Sequence, residues 1–165
     1  MKKILFTLAL LISFSSFGQT SAQYFKSGFD KFEAKDYYGA IADYTKAIEL
    51  NPNGDGSYYN RGLSKANLND HYGAIADYTK AIELNPNRNA FYNRGISKDD
   101  LKDYYGAIAD YTKAIELDPN YRSAYRNRGI SKENLGDLNG ACADWKKAAR
   151  LGDADAAKWV ANQCN

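Results

Sequence analysis

The chain has 165 residues, 44% apolar and 25% charged, a globular balance that suits one domain or a short repeat array. Lys and Arg number 22 against 20 Asp and Glu, and a net charge of +2 excludes the strong basic excess of a dedicated nucleic-acid binder. One His and two Cys leave little for metal or imidazole chemistry, while 14 tyrosines stand out.

The first predicted element is an export signal over residues 1–18. Lys2 and Lys3 form a basic start, and Ile4 to Phe17 carry no charge. That run is shorter than the ~18–20 apolar residues of a spanning helix, and small residues follow it. The alternatives are an N-terminal membrane anchor or a buried first helix. Cleavage after Gly18 is preferred to cleavage after Ala22, because it keeps Ser21 in place to cap the next helix. No Cys lies near either point, so nothing supports a lipid anchor. The expectation is an exported chain, periplasmic or secreted if the source is bacterial, with no stable membrane anchor after signal removal. Lys2 and Lys3 are the whole charge surplus, so the remainder is neutral.

The rest is one unit in four copies. Residues 38–52 read YGAIADYTKAIELNP; residues 72–86 repeat them, and residues 105–119 change one Asn to Asp118. A diverged copy covers residues 139–153. A second recurring piece precedes each copy, marked by Gly28, Gly62, Gly95 and Gly129 at spacings of 34, 33 and 34. Ile41, Tyr44 and Ile48 recur at helical intervals, as do Tyr58, Tyr59, Leu63 and Ala66. Proline follows the later helix of three of the four units and stops it or starts the next, and Asn69–Asp70 supplies turn and cap chemistry between the two. The unit is a helix–turn–helix.

This pattern resembles the tetratricopeptide repeat. The aromatic near the start of each copy is Tyr24, Tyr58, Phe91 and Tyr125, followed four later by the Gly series. In the second helix, Ala40/Tyr44, Ala74/Tyr78, Ala107/Tyr111 and Ala141/Trp145 match, as do Ala47, Ala81, Ala114 and Ala148. Pro52, Pro86 and Pro119 close three copies; Asp153 stands in the last. The resemblance implies an all-α, right-handed superhelical stack with repeats at 21–54, 55–88, 89–121 and 122–153. Arg61, Arg94 and Arg128 stand where the family often has Leu. They are expected to pair with Asp43, Asp77 and Asp110 of the preceding repeat; the alternative is that they snorkel to solvent.

Residues 154–165 are predicted to form a capping helix, with Ala157, Trp159, Val160, Ala161 and Cys164 on its apolar side. In an antiparallel hairpin turning near residue 153, Cys142 and Cys164 mirror each other. For an exported chain that favours a disulfide worth roughly 3 kcal/mol over two buried free thiols.

Chemistry is sparse elsewhere. His71 replaces Tyr37 and Tyr104 of the sister copies, which points to a surface or packing role. No Cys/His cluster, P-loop or catalytic constellation is present, so neither a cofactor nor an enzyme is expected. Asp99, Asp100 and Asp103 read as a solvated patch. The tyrosines that recur in phase read as inter-repeat packing.

The resemblance further implies a concave groove lined by the first helices and suited to a protein or peptide partner. Its rows would be Phe25, Tyr59, Tyr92, Arg126 and Phe29, Leu63, Ile96, Ile130, flanked by Asn60, Asn93 and Asn127. The alternative is that several of these are interhelix core. Tyr59 and Tyr92 occupy places where the family's carboxylate clamp carries Lys and Arg; only Asn60 matches it. The expected function is a non-catalytic interaction scaffold of the cell envelope. A self-associating structural protein, which would form a homodimer, and an accessory subunit of an envelope enzyme complex are the alternatives.

Overall fold

The computed structural model describes residues 19–164; the expected export segment lies outside them. The described residues form α1 (Ser21–Glu33), α2 (Tyr37–Leu50), α3 (Asp55–Asn67), α4 (His71–Leu84), α5 (Arg88–Asp100), α6 (Tyr104–Leu117), α7 (Arg122–Asn134), α8 (Leu138–Arg150) and α9 (Ala154–Gln163). They pack as antiparallel pairs, α1 with α2 through α7 with α8, and α9 lies on α8. The first helices of successive pairs also touch, which puts them on the inner side of the curve. No described helix is long and apolar enough to cross a membrane.

Local chemistry sets the helix bounds. Asp36, Asp70, Asp103 and Asp137 cap the second helices, accepting the N–H of Gly39, Gly73, Gly106 and Gly140 at 3.0, 2.9, 3.0 and 2.8 Å. Just before three of these caps, Lys35, Asn69 and Lys102 turn the chain with φ of 61°, 61° and 62°. At the N-terminus the cap differs from expectation. Thr20 caps α1 and forms a reciprocal box with Gln23. Ser21 is already helical, and its hydroxyl donates to the Ala47 carbonyl at 2.8 Å.

Each pair is held by an aromatic ring against a glycine. Tyr44, Tyr78, Tyr111 and Trp145 are at most 1% exposed. A Cβ on Gly28, Gly62, Gly95 or Gly129 would come within 2.9, 2.8, 2.7 or 2.3 Å of those rings. Burying one such ring contributes about 2–3 kcal/mol, and only glycine admits it. Fully buried alanines, Ala40 and Ala47 and their counterparts, let the backbones approach on either side.

The arginine pairing corrects the expectation of bridges to the preceding repeat. Arg61 reaches Asp77, Arg94 reaches Asp110 and Arg128 reaches Asp144, each inside its own repeat, through a fork of 2.9 and 2.6 Å bonds. The antiparallel turn explains this: it brings Arg61 opposite Asp77, just as it brings Gly62 opposite Tyr78. Lys65, Lys98 and Lys132 complete each triad at 2.7 Å. The third guanidinium nitrogen reaches back one repeat, to the hydroxyls of Thr45, Thr79 and Thr112 at 3.1, 2.9 and 3.0 Å. Repeat 1 has Ser27 in the Arg place, and there Asp43 takes Ser27 and Lys31, both at 2.6 Å. Burial pushes the Asp43 carboxyl up, but these partners outweigh it and hold it below the ordinary carboxylate value.

The C-terminal end is closed by α9. Trp145 and Trp159 lie 5.3 Å apart, and Val160 and Cys164 pack on the same cluster. The buried alanine is Ala156; Ala157 and Ala161, expected on that side, are exposed, since the packed face runs through Ala156, Trp159, Val160 and Cys164. A disulfide joins Cys142 to Cys164, with Cα atoms 5.5 Å apart. Asp153, the proline replacement, caps α9 through the Ala156 N–H at 3.0 Å and accepts from Arg126 at 3.2 Å.

Candidate partner-binding groove

The odd-numbered helices place the predicted rows along one inner surface. Phe25, Tyr59 and Tyr92 are half-buried, with rings 5.7, 5.9 and 5.7 Å from the core rings of Tyr44, Tyr78 and Tyr111. Behind each groove aromatic stands a buried one, so the groove surface is the front of the core.

A polar ladder fixes these side chains. Asn93 donates to the Tyr59 hydroxyl at 2.8 Å, and Asn127 donates to the Tyr92 hydroxyl at 3.1 Å. Each bond spans one repeat boundary. Phe25 has no hydroxyl, so Asn60 turns back and donates to the Gly56 carbonyl at 2.8 Å. The three amides were expected to face a peptide backbone; each spends an N–H inside the array. Burial pushes the phenols of Tyr59 and Tyr92 up, which keeps them neutral.

The other row residues divide by position. Phe29 is 46% exposed on the first described helix. Leu63 and Ile96 line a cleft of about 230 Å³ that also meets His71 and Asp100. Ile130 packs against the C-terminal cluster. Arg126 belongs to the closing end, with its guanidinium on Asp153 and its carbonyl accepting the Trp145 indole N–H at 3.3 Å.

Three features escaped the sequence reading. The acidic patch is divided. Asp99 is drawn inside, accepting from Tyr111 at 2.7 Å and Ser131 at 2.8 Å, and burial pushes its carboxyl up. Asp100 lies 3.4 Å from the buried Nδ1 of His71, and Asp103 is a cap. Nor do all in-phase tyrosines pack: Tyr38, Tyr72 and Tyr105, on the even helices, are 76%, 77% and 76% exposed. The helical period separates them from Tyr44, Tyr78 and Tyr111, six residues on, and so could have shown it. Tyr121, the third, caps α7 and lays its ring 4.9 Å from Tyr92, under the Arg88 guanidinium.

Among the described residues, no group of His, Cys, Asp and Glu could hold a metal ion. Comparisons with known proteins agree with this architecture. Residues 31–53, 57–88 and 89–121 match tetratricopeptide repeat families, together more than half of the chain. No curated protein matches the sequence. Among solved structures, a MamA crystal structure superposes with a TM-score of 0.82 at 24% identity, covering 87% of this chain and 80% of that one. MamA of Desulfovibrio magneticus RS-1 gives 0.76 at 20% identity, covering 79% and 75%. The first tetratricopeptide domain of Spaghetti (RPAP3), solved with the HSP90 peptide SRMEEVD, gives 0.69 at 26% identity, covering 72% and 94%. The stacked helix pairs, the glycine–aromatic contacts and these matches together identify the chain as a member of the tetratricopeptide repeat family, a non-catalytic protein-interaction scaffold.

Proposed function

We propose that this chain is an exported scaffold of the cell envelope that holds a peptide segment of a partner protein along the odd-helix groove. The observation that carries the reading is the Tyr59–Tyr92 surface. It is aromatic, and it is immobilised from behind by Tyr78 and Tyr111 and from the side by Asn93 and Asn127. A surface already ordered loses little entropy on binding. The solved Spaghetti complex supports peptide capture by an array of this shape. The clamp charges are missing here, so the favoured peptide is a neutral, apolar one rather than an acidic chain terminus. Export is supported by Lys2 and Lys3 ahead of an uncharged run and by the Cys142–Cys164 disulfide, which persists in oxidising compartments. Thr20 favours cleavage after Gly18, since cleavage after Ala22 would remove the cap of α1.

The test combines Tyr59→Ala with Tyr92→Ala. The double variant should keep its helical spectrum and lose capture of envelope partners by crosslinking in the native host. Unchanged capture would refute the groove, and a dilution-stable dimer that buries it would favour self-association.

A further inference from the structure

A cavity of about 400 Å³ opens between α1 and the start of α3, lined by Ser21, Phe25, Asn51, Gly54, Gly56 and Ser57. It is the first inter-repeat junction of the groove. The same junction two repeats later, 67 residues on in the sequence, shows how such a place is filled. There Tyr92 stands for Phe25, Tyr121 for Gly54 and Arg88 for Ser21. The Tyr121 ring occupies the space, 4.9 Å from Tyr92, with Arg88 5.0 Å above it and ion-paired to Asp118.

The backbone does not require glycine at residue 54. Gly54 has φ −80° and ψ 89°, and Tyr121 has φ −75° and ψ 78°; both cap a first helix without a side-chain bond. A side chain at residue 54 would first meet the Asn51 amide at 3.3 Å, a group that can rotate away. Glycine there therefore leaves a ring-sized place open. The charged pair of the later junction is replaced by Ser21 and Asn51, so the lining is uncharged.

We propose that this cavity is an anchor site for an aromatic side chain, tyrosine or phenylalanine, of the partner peptide. The ring seats on Phe25 as Tyr121 seats on Tyr92. The cavity holds the place in its own junction that the Tyr121 ring fills two repeats later, and its neutral lining suits an uncharged ring. The inference rests on the groove reading and specifies its ligand.

The probe is N-acetyl-tyrosinamide, titrated into the ¹⁵N-labelled protein, with N-acetyl-leucinamide as control. Amide shifts should centre on Gly54, Gly56 and Ser57, with a dissociation constant on the order of 1 mM for one ring. The leucine probe should bind at least about fivefold more weakly. Gly54→Tyr fills the place from within and should abolish the shifts while keeping the wild-type melting curve. Absent shifts, shifts centred elsewhere, an equal response to leucinamide or full binding by folded Gly54→Tyr would each overturn the proposal. If that variant misfolds, intermolecular Overhauser contacts between the probe and the Phe25 ring decide: their presence supports the anchor and their absence overturns it. Loss of partner capture in the Tyr59/Tyr92 variant together with no probe binding would overturn the anchor alone.

Discussion

The two ends of the array are built from the same repeat and finished in opposite ways. At the C-terminal end three diverged positions make new contacts. Trp145 replaces tyrosine and meets Trp159, Asp153 replaces proline and binds Arg126, and Cys142 is tied to Cys164. At the N-terminal end the substitutions subtract. Phe25 has no hydroxyl for the ladder, Ser27 has no guanidinium to reach another repeat, and Gly54 leaves a cavity. A stacked array needs a finished outer face to end, and among the described residues the C-terminal end has one. The difference teaches that closure is specialised chemistry added to a repeat.

The largest expected effect separates the ends by pH. Burial pushes the phenols of Tyr44 and Tyr121 up to about 12, and those of Tyr78 and Tyr111 higher still. Folding thus favours the neutral phenol. This contribution is whole below about pH 10, the unfolded tyrosine value, and is lost as pH rises through the folded values. For Tyr78 and Tyr111 the loss is about 1.4 kcal/mol each per pH unit. The last pair has Trp145 instead, which does not ionise. Both tryptophans sit at that end, so their fluorescence reports it alone. Above pH 10, tyrosinate absorbance and helix loss should precede the tryptophan red shift; coincident transitions would show one cooperative unit and erase the distinction.

Reduction of the disulfide comes next. It should cost about 3 kcal/mol. Hydrogen exchange should accelerate in α8 and α9 and stay unchanged in α1–α4. Uniform acceleration would mean that the staple serves the whole array.

The smallest effect compares two glycines of α3. Gly62→Ala should destabilise by about 1–3 kcal/mol, because the new methyl group meets the Tyr78 ring at 2.8 Å. Gly56→Ala, whose methyl group would rest 3.5 Å from Phe25, should stabilise by up to about 1 kcal/mol through lower unfolded-state entropy. Thermal melts with opposite signs would sharpen the contrast between the packed interior and the open junction; equal losses would break it.

Much of this was legible in the sequence because four copies in phase average out local ambiguity. The helix pairs and the mirrored positions of Cys142 and Cys164 follow from spacing, whereas Tyr44, Tyr78 and Tyr111, expected to pack between repeats, sit against a glycine of their own repeat. Partner choice does not. Arg61 lies 16 residues from Asp77 and 18 from Asp43, and only the turn geometry decides between them. Asp99 resembles its neighbours in sequence, yet Ser131 and Tyr111 draw it inside. The cavity depends on setting Gly54 against Tyr121, two loop residues that look unrelated until the helix caps are aligned.

The arginine forks have one more consequence. Asp77, Asp110 and Asp144 each find their cations inside their own repeat, and the links between repeats are chiefly hydroxyls, amides and rings. Ionic strength therefore acts mainly on the intrinsic stability of each unit and little on nearest-neighbour coupling. A unit of this kind can be duplicated or deleted whole without stranding a buried charge at the new junction, and array length is then free to change while the two ends stay as they are.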